Sequence, residues 1–394
     1  MSLIDLSGYL LYVAFFCYLF GTFLFGGAIK EKNDTAASRA DKYGKLAITV
    51  TIIGFVAQLG YFITRWIYTG HAPVSNMFEF TTAFGMFIIL SFIVIFFMYK
   101  VSALGVVALP IALLIIAYAS MFPTEVSPLV PSLQSHWLTI HVITAAIGQS
   151  IFGISAVAGL IYLLKNVNMN ERSKESFWLE TVMFCCVLII GFVAATVTFN
   201  VMDYEAKYEY VDTLDEVSTS TYLMPPIFGM NEYVELTENR MTPLVELPAL
   251  IDARKLTTVV WSIIFGTVIY ILIRLIFRRK VATMFQPLVK RVNSTLMDEI
   301  AYRTVLIAFP IFTLGALIFA MIWAQKAWGR FWGWDPKEVW ALVTWLFYAA
   351  FLHLRLSKGW EGKKTAWLTV IGFLIILFNL VVVNLVIAGL HSYA

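Results

Sequence analysis

Apolar residues run along this chain in long blocks parted by short polar breaks, and many blocks approach or exceed the ~20 residues needed to cross a bilayer. Ten blocks read as spans, at roughly 8–29, 46–68, 79–99, 103–122, 137–164, 178–202, 256–277, 304–324, 338–356 and 365–390. The pattern predicts an all-α polytopic membrane protein with about ten transmembrane helices and one larger extracytoplasmic loop. Its parts are six helices over 1–202, an acidic loop or cap over 203–255, and four helices over 256–394. MSLIDLSGYL carries no Lys or Arg and no small-residue cleavage site follows, so the first block is expected to be a retained span.

Composition agrees. With 60% hydrophobic residues, 13% charged and a mean hydropathy of +0.80, a soluble domain is excluded. No nucleic-acid partner is expected. The distribution of charge says more than the net +3: 20 of the 28 Lys and Arg residues fall in loops after odd-numbered spans, from Lys30 to Lys364. Putting those loops in the cytoplasm leaves both termini extracytoplasmic, in a bacterial plasma membrane. The segment 203–255 then lies outside, acid-rich (Asp203, Glu205, Glu209, Asp212), with Tyr204, Tyr208, Tyr210 and Tyr222 and a Pro225-Pro226 break. Its composition fits either a small cap or a solvated linker.

Cys17, Cys185 and Cys186 sit inside apolar runs, with neither CxxC nor CxxCH. The chain is therefore no thioredoxin-like reductant, no zinc module and no covalent haem carrier.

The densest chemistry is WGRFWGWDPKEVWALVTW, where Trp328, Trp332, Trp334, Trp340 and Trp345 account for five of the 12 tryptophans. Such a cluster can present a flat face to a flat aromatic ligand, and Gly329 and Gly333 allow close approach. The plain alternative is an interfacial aromatic belt, which needs no such order. Asp335 could orient a neighbouring group or, with Pro336, simply make a rigid turn.

The five histidines sort by depth. His71, His136, His141 and His391 lie on the outer side with the tryptophans. His141 and His391, from different helices, can hold a haem iron from both faces. His136, five residues before His141, falls on another helix face, and His71 lies in the outer loop 69–78. Neighbouring Ser75, Asn76 and Glu79 could line the site instead. His353 lies inside a span near its cytoplasmic end, about 22 Å along a helix from Glu338. An ionisable group there is a functional candidate. Arg355, two residues on, is expected to snorkel to the headgroups. No other histidine shares the depth of His353, so a second ligand would come from another polypeptide or be absent.

PVSNMFEF (73–80), LQSHWLTIHV (133–142), WGRFWGWDPKEVWALVTWLFYAAFLHLR (328–355) and NLVIAGLHSY (384–393) resemble the CcsA (ResC) family of cytochrome c biogenesis proteins, within the tryptophan-rich haem-handling superfamily. The resemblance implies the membrane subunit of a system II haem lyase. Such a subunit carries haem b outward and joins it by thioethers to the CxxCH thiols of apocytochrome c. It implies His141 and His391 as outer axial ligands, and Trp328, Trp332, Trp334 and Asp335 as the WWD segment (325–338) that holds haem, with Asp335 among the catalytic candidates. It also implies His353 as an inner iron ligand whose opposite comes from a CcsB/ResB-type partner. Thiol-reducing proteins would act indirectly. The alternatives are a haem exporter without lyase activity and a haem-b electron-transfer subunit; a transporter would show substrate-lining charges or broken helices near the midplane, of which the spans show little apart from Pro110 and Pro310, and a scaffold would not need the Trp-Gly-Asp order.

Overall fold

In a computed structural model of the chain, residues 2–29, 34–120, 122, 124–126, 134–211, 217–237, 240–248 and 252–383 are described, the side chains of 34–41 excepted. Among them are ten helices long and apolar enough to cross a membrane. They are α1 (Leu3–Ile29), α2 (Asp34–Thr69), α3 (Met77–Tyr99), α4 (Ser102–Ala119), α5 (His136–Asn166), α6 (Lys174–Val201), α7 (Ala253–Phe277), a composite span over Ser294–Trp328, α11 (Pro336–Lys358) and the span that opens with α12 (Lys363–Phe378). A short helix, α8 (Val281–Val289), was not anticipated; at nine residues it is too short to cross a bilayer.

The composite span departs most from a plain helix. It begins as α9 (Ser294–Phe312), winds as a π-helix over Thr313–Phe319 and ends as α10 (Ala320–Trp328). Pro310 lacks the N–H that an α-helix would use, and the ladder is re-formed at wider pitch just beyond it. The sequence reading placed a regular span over 304–324 and saw only the proline.

The described residues form two compact units, one of 2–168 and 285–377, the other of 169–284 and 378–383. In the first, α5 crosses α9 and the π-segment at very close range. A side chain at Gly148 would strike the Phe312 backbone, and one at Gly315 would strike the backbone of Ala145. Such backbone proximity is how helices gain dispersion contact where no hydrophobic drive separates them from lipid. Ser155 Oγ donates to the Ala301 carbonyl at 2.7 Å and strengthens the same crossing.

Several buried polar groups within the helices are paired. Tyr18 donates to Gln58 Oε1 at 2.7 Å, and Gln58 Nε2 donates to the Thr82 carbonyl. Arg65 and Glu79, both buried, form an ion pair at 2.7 Å. Glu79 also accepts from Ser75 N and Oγ, Asn76 Oδ1 caps α3 by accepting from Glu79 N, and Arg65 Nη2 donates to the Thr124 carbonyl. The PVSN loop is therefore wrapped around a buried charge pair. Ser75, Asn76 and Glu79 hold Arg65 and the cap of α3 and are not a loose polar lining.

In the second unit, five short strands follow α6: β1 (Ala206–Val211), β2 (Val217–Tyr222), β3 (Phe228–Gly229), β4 (Val234–Glu235) and β5 (Val245–Glu246). β1 pairs antiparallel with β2 and β4, and β3 runs parallel to β5. Tyr208 packs edge-on against Tyr222 and Tyr233, with centroids 5.3 and 5.8 Å away. Trp261 Nε1 donates to the Pro225 carbonyl and Phe228 N to Thr257 Oγ1, which tie this segment to α7.

Glu79→Ala would leave the Arg65 guanidinium buried and unpaired, at a cost of about 3–5 kcal/mol. The expected outcome is a clearly lowered thermal unfolding temperature in detergent, with a much smaller loss when Arg65→Met is combined with Glu79→Met; equal losses would remove the ion-pair argument.

Candidate functional site

His141 sits in the second turn of α5, whose N-terminus is capped by Ser135. The turn brings its Nδ1 to 2.9 Å from the carbonyl oxygen of Gly315, at the π-wound stretch. A carbonyl only accepts, so Nδ1 carries the proton and, in the neutral ring, Nε2 carries the lone pair. A backbone carbonyl behind an imidazole is the usual means of fixing a ligand histidine's tautomer and raising its basicity. The ring lies nearly parallel to Trp323, with centroids 5.7 Å apart and planes at 13°. Trp323 is 2% exposed and meets Trp328 edge-on at 4.7 Å, over a small apolar cluster with Leu138, Trp137 and Val142. His141 is therefore oriented by one hydrogen bond and one aromatic face.

The tryptophan turn begins where Gly329, in the left-handed region at φ +70°, ends α10. A side chain at Gly333 would meet the Arg330 guanidinium, so glycine lets Arg330 fold over the turn. Trp334 has φ +58°, an uncommon and costly conformation for a bulky residue, and is 70% exposed. Trp332 stands perpendicular to it at 6.0 Å. The Trp332 Nε1–H is buried with no hydrogen-bond partner among the described residues, a donor that a bound acceptor would satisfy.

Asp335 explains how the turn keeps this shape. It is the N-cap of α11, 5% exposed, and its Oδ2 accepts from Lys337 N at 3.2 Å. Glu338 completes a capping box, its Oε2 accepting from Gly333 N at 2.7 Å and Asp335 N at 3.2 Å. Pro336 supplies the first helical residue without wasting a donor. Two carboxylates thus hold the backbone on both sides of Trp334. Further along α11, Trp345 Nε1 donates to Thr313 Oγ1 at 2.9 Å, pinning this helix to the start of the π-segment.

His353 lies on the exposed side of α11, with Ser357 Oγ 3.5 Å from its Nδ1. Arg355 does not snorkel to headgroups as expected. It turns inward to Asp298, 2.8 Å away, because two residues are about 200° of helix and His353 already points out. His136 is exposed at the first residue of α5, and His71 Nδ1 lies 3.1 Å from the Ala72 carbonyl. His391 falls outside the described residues.

Sequence reasoning missed Trp323 and Gly315. Trp323 could have been found, since it stands five residues before Trp328. Gly315 acts through a carbonyl that its side chain does not announce.

A family model described as cytochrome C assembly protein matches residues 256–391. Proteins described as cytochrome c biogenesis protein CcsA match almost throughout. That of Porphyra purpurea is 27% identical over 383 residues, 94% of this chain and 95% of the relative. That of Pyropia yezoensis is 29% identical over 367 residues, 89% and 87%, and that of Microcystis aeruginosa 28% identical over 356, again 89% and 87%. The match takes in the spanning helices from near one end to the other as well as the tryptophan turn and His141, and on that footing this chain is similar over most of its length to the CcsA cytochrome c biogenesis proteins.

Proposed function

We propose that this chain is the membrane subunit of a system II cytochrome c synthase, which carries haem b to the outer face and attaches it to apocytochrome c. The observation that carries this reading is His141: an imidazole oriented by the Gly315 carbonyl and the Trp323 face, as an axial iron ligand requires. The charge count supports an orientation with both termini outside and the tryptophan turn on the outer side of a bacterial plasma membrane.

In this reading haem is first held at His353, whose exposed position suits a second ligand from a CcsB/ResB-type partner. It then passes outward to His141 and His391. Trp328, Trp332 and Trp334 hold the macrocycle, and the unsatisfied Trp332 N–H suits a haem carboxylate. The apocytochrome presents its CxxCH segment, and each thiol adds across one vinyl group. Sulfur bonds to one vinyl carbon, hydrogen goes to the other, and no electrons are left over. Two thiols aligned over two vinyls react as if intramolecular, so positioning supplies much of the acceleration. Asp335 contributes by holding the turn, as a positioning residue.

His141→Ala and His391→Ala, purified with the partner, are each expected to lose haem and holocytochrome formation; full haem and full synthesis in both would remove the outer site from the proposal. His353→Ala should reduce haem delivered to the outer site. Lost synthesis with unchanged haem content would contradict the two-depth route.

For Asp335, Asn caps a helix nearly as well as Asp, whereas Ala costs roughly 0.5–2 kcal/mol at the cap. Asp335→Asn is therefore expected to retain most synthesis and Asp335→Ala to lose it. Equal damage in both would mean that the charge itself takes part.

A further inference from the structure

The end of α11 beyond His353 is bolted to α9. Arg355 Nη2 lies 2.8 Å from Asp298 Oδ2, both side chains largely buried, and Arg355 Nη1 donates to the Trp360 carbonyl at 3.0 Å. The other Asp298 oxygen accepts from Gly362 N at 2.9 Å, at a residue with φ +68°. Tyr302, one turn after Asp298, lies under the guanidinium at 5.0 Å. Thr365 Oγ1 donates to the same Trp360 carbonyl. One carboxylate and one guanidinium thus join α9, the last turn of α11, the α11–α12 turn and the first turn of α12.

Arg355 lies about 200° around the helix from His353. The inward stripe Thr344, Tyr348, Phe351 leads at helical spacing to Arg355, and the opposite stripe of Leu346, Ala350, His353 and Ser357 faces out. Tyr348, stacked on Phe152 at 3.5 Å, and buried Phe351 fix the helix up to this point, and beyond Phe351 none of its residues is fully buried, so the ion pair is what holds the last turn. A partly buried ion pair is a weak source of net stability but a strong constraint on register.

We propose that the Asp298–Arg355 pair is a positioning device that sets the rotation and depth at which His353 presents its ring to iron. This rests on the reading of His353 as an iron ligand and adds two residues that touch neither haem nor apocytochrome.

The test uses the full chain co-purified with its partner subunit, comparing Asp298→Asn, His353→Ala, their combination and Arg355→Lys. Haem per protein and the reduced-minus-oxidised spectrum are recorded beside thermal unfolding. Asp298→Asn is expected to weaken the His353-dependent haem signal by about tenfold in apparent affinity, the lower end for outer-shell partners of a metal ligand. In the His353→Ala background it should change that signal no further. Arg355→Lys, which keeps the charge but loses the forked geometry, should shift the spectrum with less loss. An equal loss of haem with and without His353 would make the pair merely structural and overturn the proposal, as would an unchanged His353-dependent spectrum in folded Asp298→Asn and Arg355→Lys proteins. If His353→Ala alone leaves haem content and spectrum unaltered, the underlying reading of His353 fails, and the positioning role falls with it.

Discussion

The hydrogen bond from His141 Nδ1 to the Gly315 carbonyl depends on α5 approaching the π-segment almost backbone to backbone. That approach needs glycine at 148 and 315, and it needs a stretch of helix where the regular ladder has already been disturbed. Pro310 disturbs it, and π-winding over Thr313–Phe319 absorbs the change. A regular α-helix engages each carbonyl along its axis; a widened turn is a common way to bring one to a side chain, which is why such bulges recur at functional sites. Trp345 fastens α11 to Thr313 at the entrance to the same stretch. Distortion of one span thus orients a histidine from α5 and receives an anchor from α11.

Much of this architecture could be read from the chain before its structure. The bilayer imposes a length on apolar runs, and all ten runs became helices, usually with ends within a few residues of those expected. The tryptophan turn was legible because WGWDPKE combines residues that seldom meet by chance. The capping box was latent in the Asp335–Glu338 spacing. The direction of Arg355 was legible in principle: two residues from a histidine that faces out, it had to face in, but solvation by headgroups was the expectation followed. The π-winding, the Gly315 carbonyl and the brief strands after α6 were not legible, since each depends on tertiary contact and not on local pattern.

Buried charge in this chain follows one rule, that each carboxylate is matched to several donors. Glu79 takes Arg65 and Ser75, Asp298 takes Arg355 and Gly362, and Glu180 takes Tyr270 with the first backbone N–H groups of α8. An ion pair alone repays desolvation poorly in a membrane protein, and the extra hydrogen bonds make up the difference. These clusters sit where a loop returns to a helix end, so the charges act mainly to fix where turns begin. The two histidines proposed to bind iron meet a backbone carbonyl and a hydroxyl, His141 at Gly315 and His353 at Ser357.

The helix α11 brings these strands together. Its first turn is held by Asp335 and Glu338 and its last by Arg355, about 30 Å apart at 1.5 Å per residue. Between them Thr344, Tyr348 and Phe351 are buried along one side, Tyr348 stacking on Phe152 at 3.5 Å, so the helix is packed on that stripe as well as fastened at its ends and at Thr313. The opposite stripe, Val343, Leu346, Ala350, His353 and Ser357, is exposed. A helix fully packed into a bundle could not offer two sites at different depths to one ligand moving along it. One packed along a single stripe suits the two-depth reading proposed above, provided its rotation is fixed. The carboxylates at either end meet that condition without placing a charge on the open face.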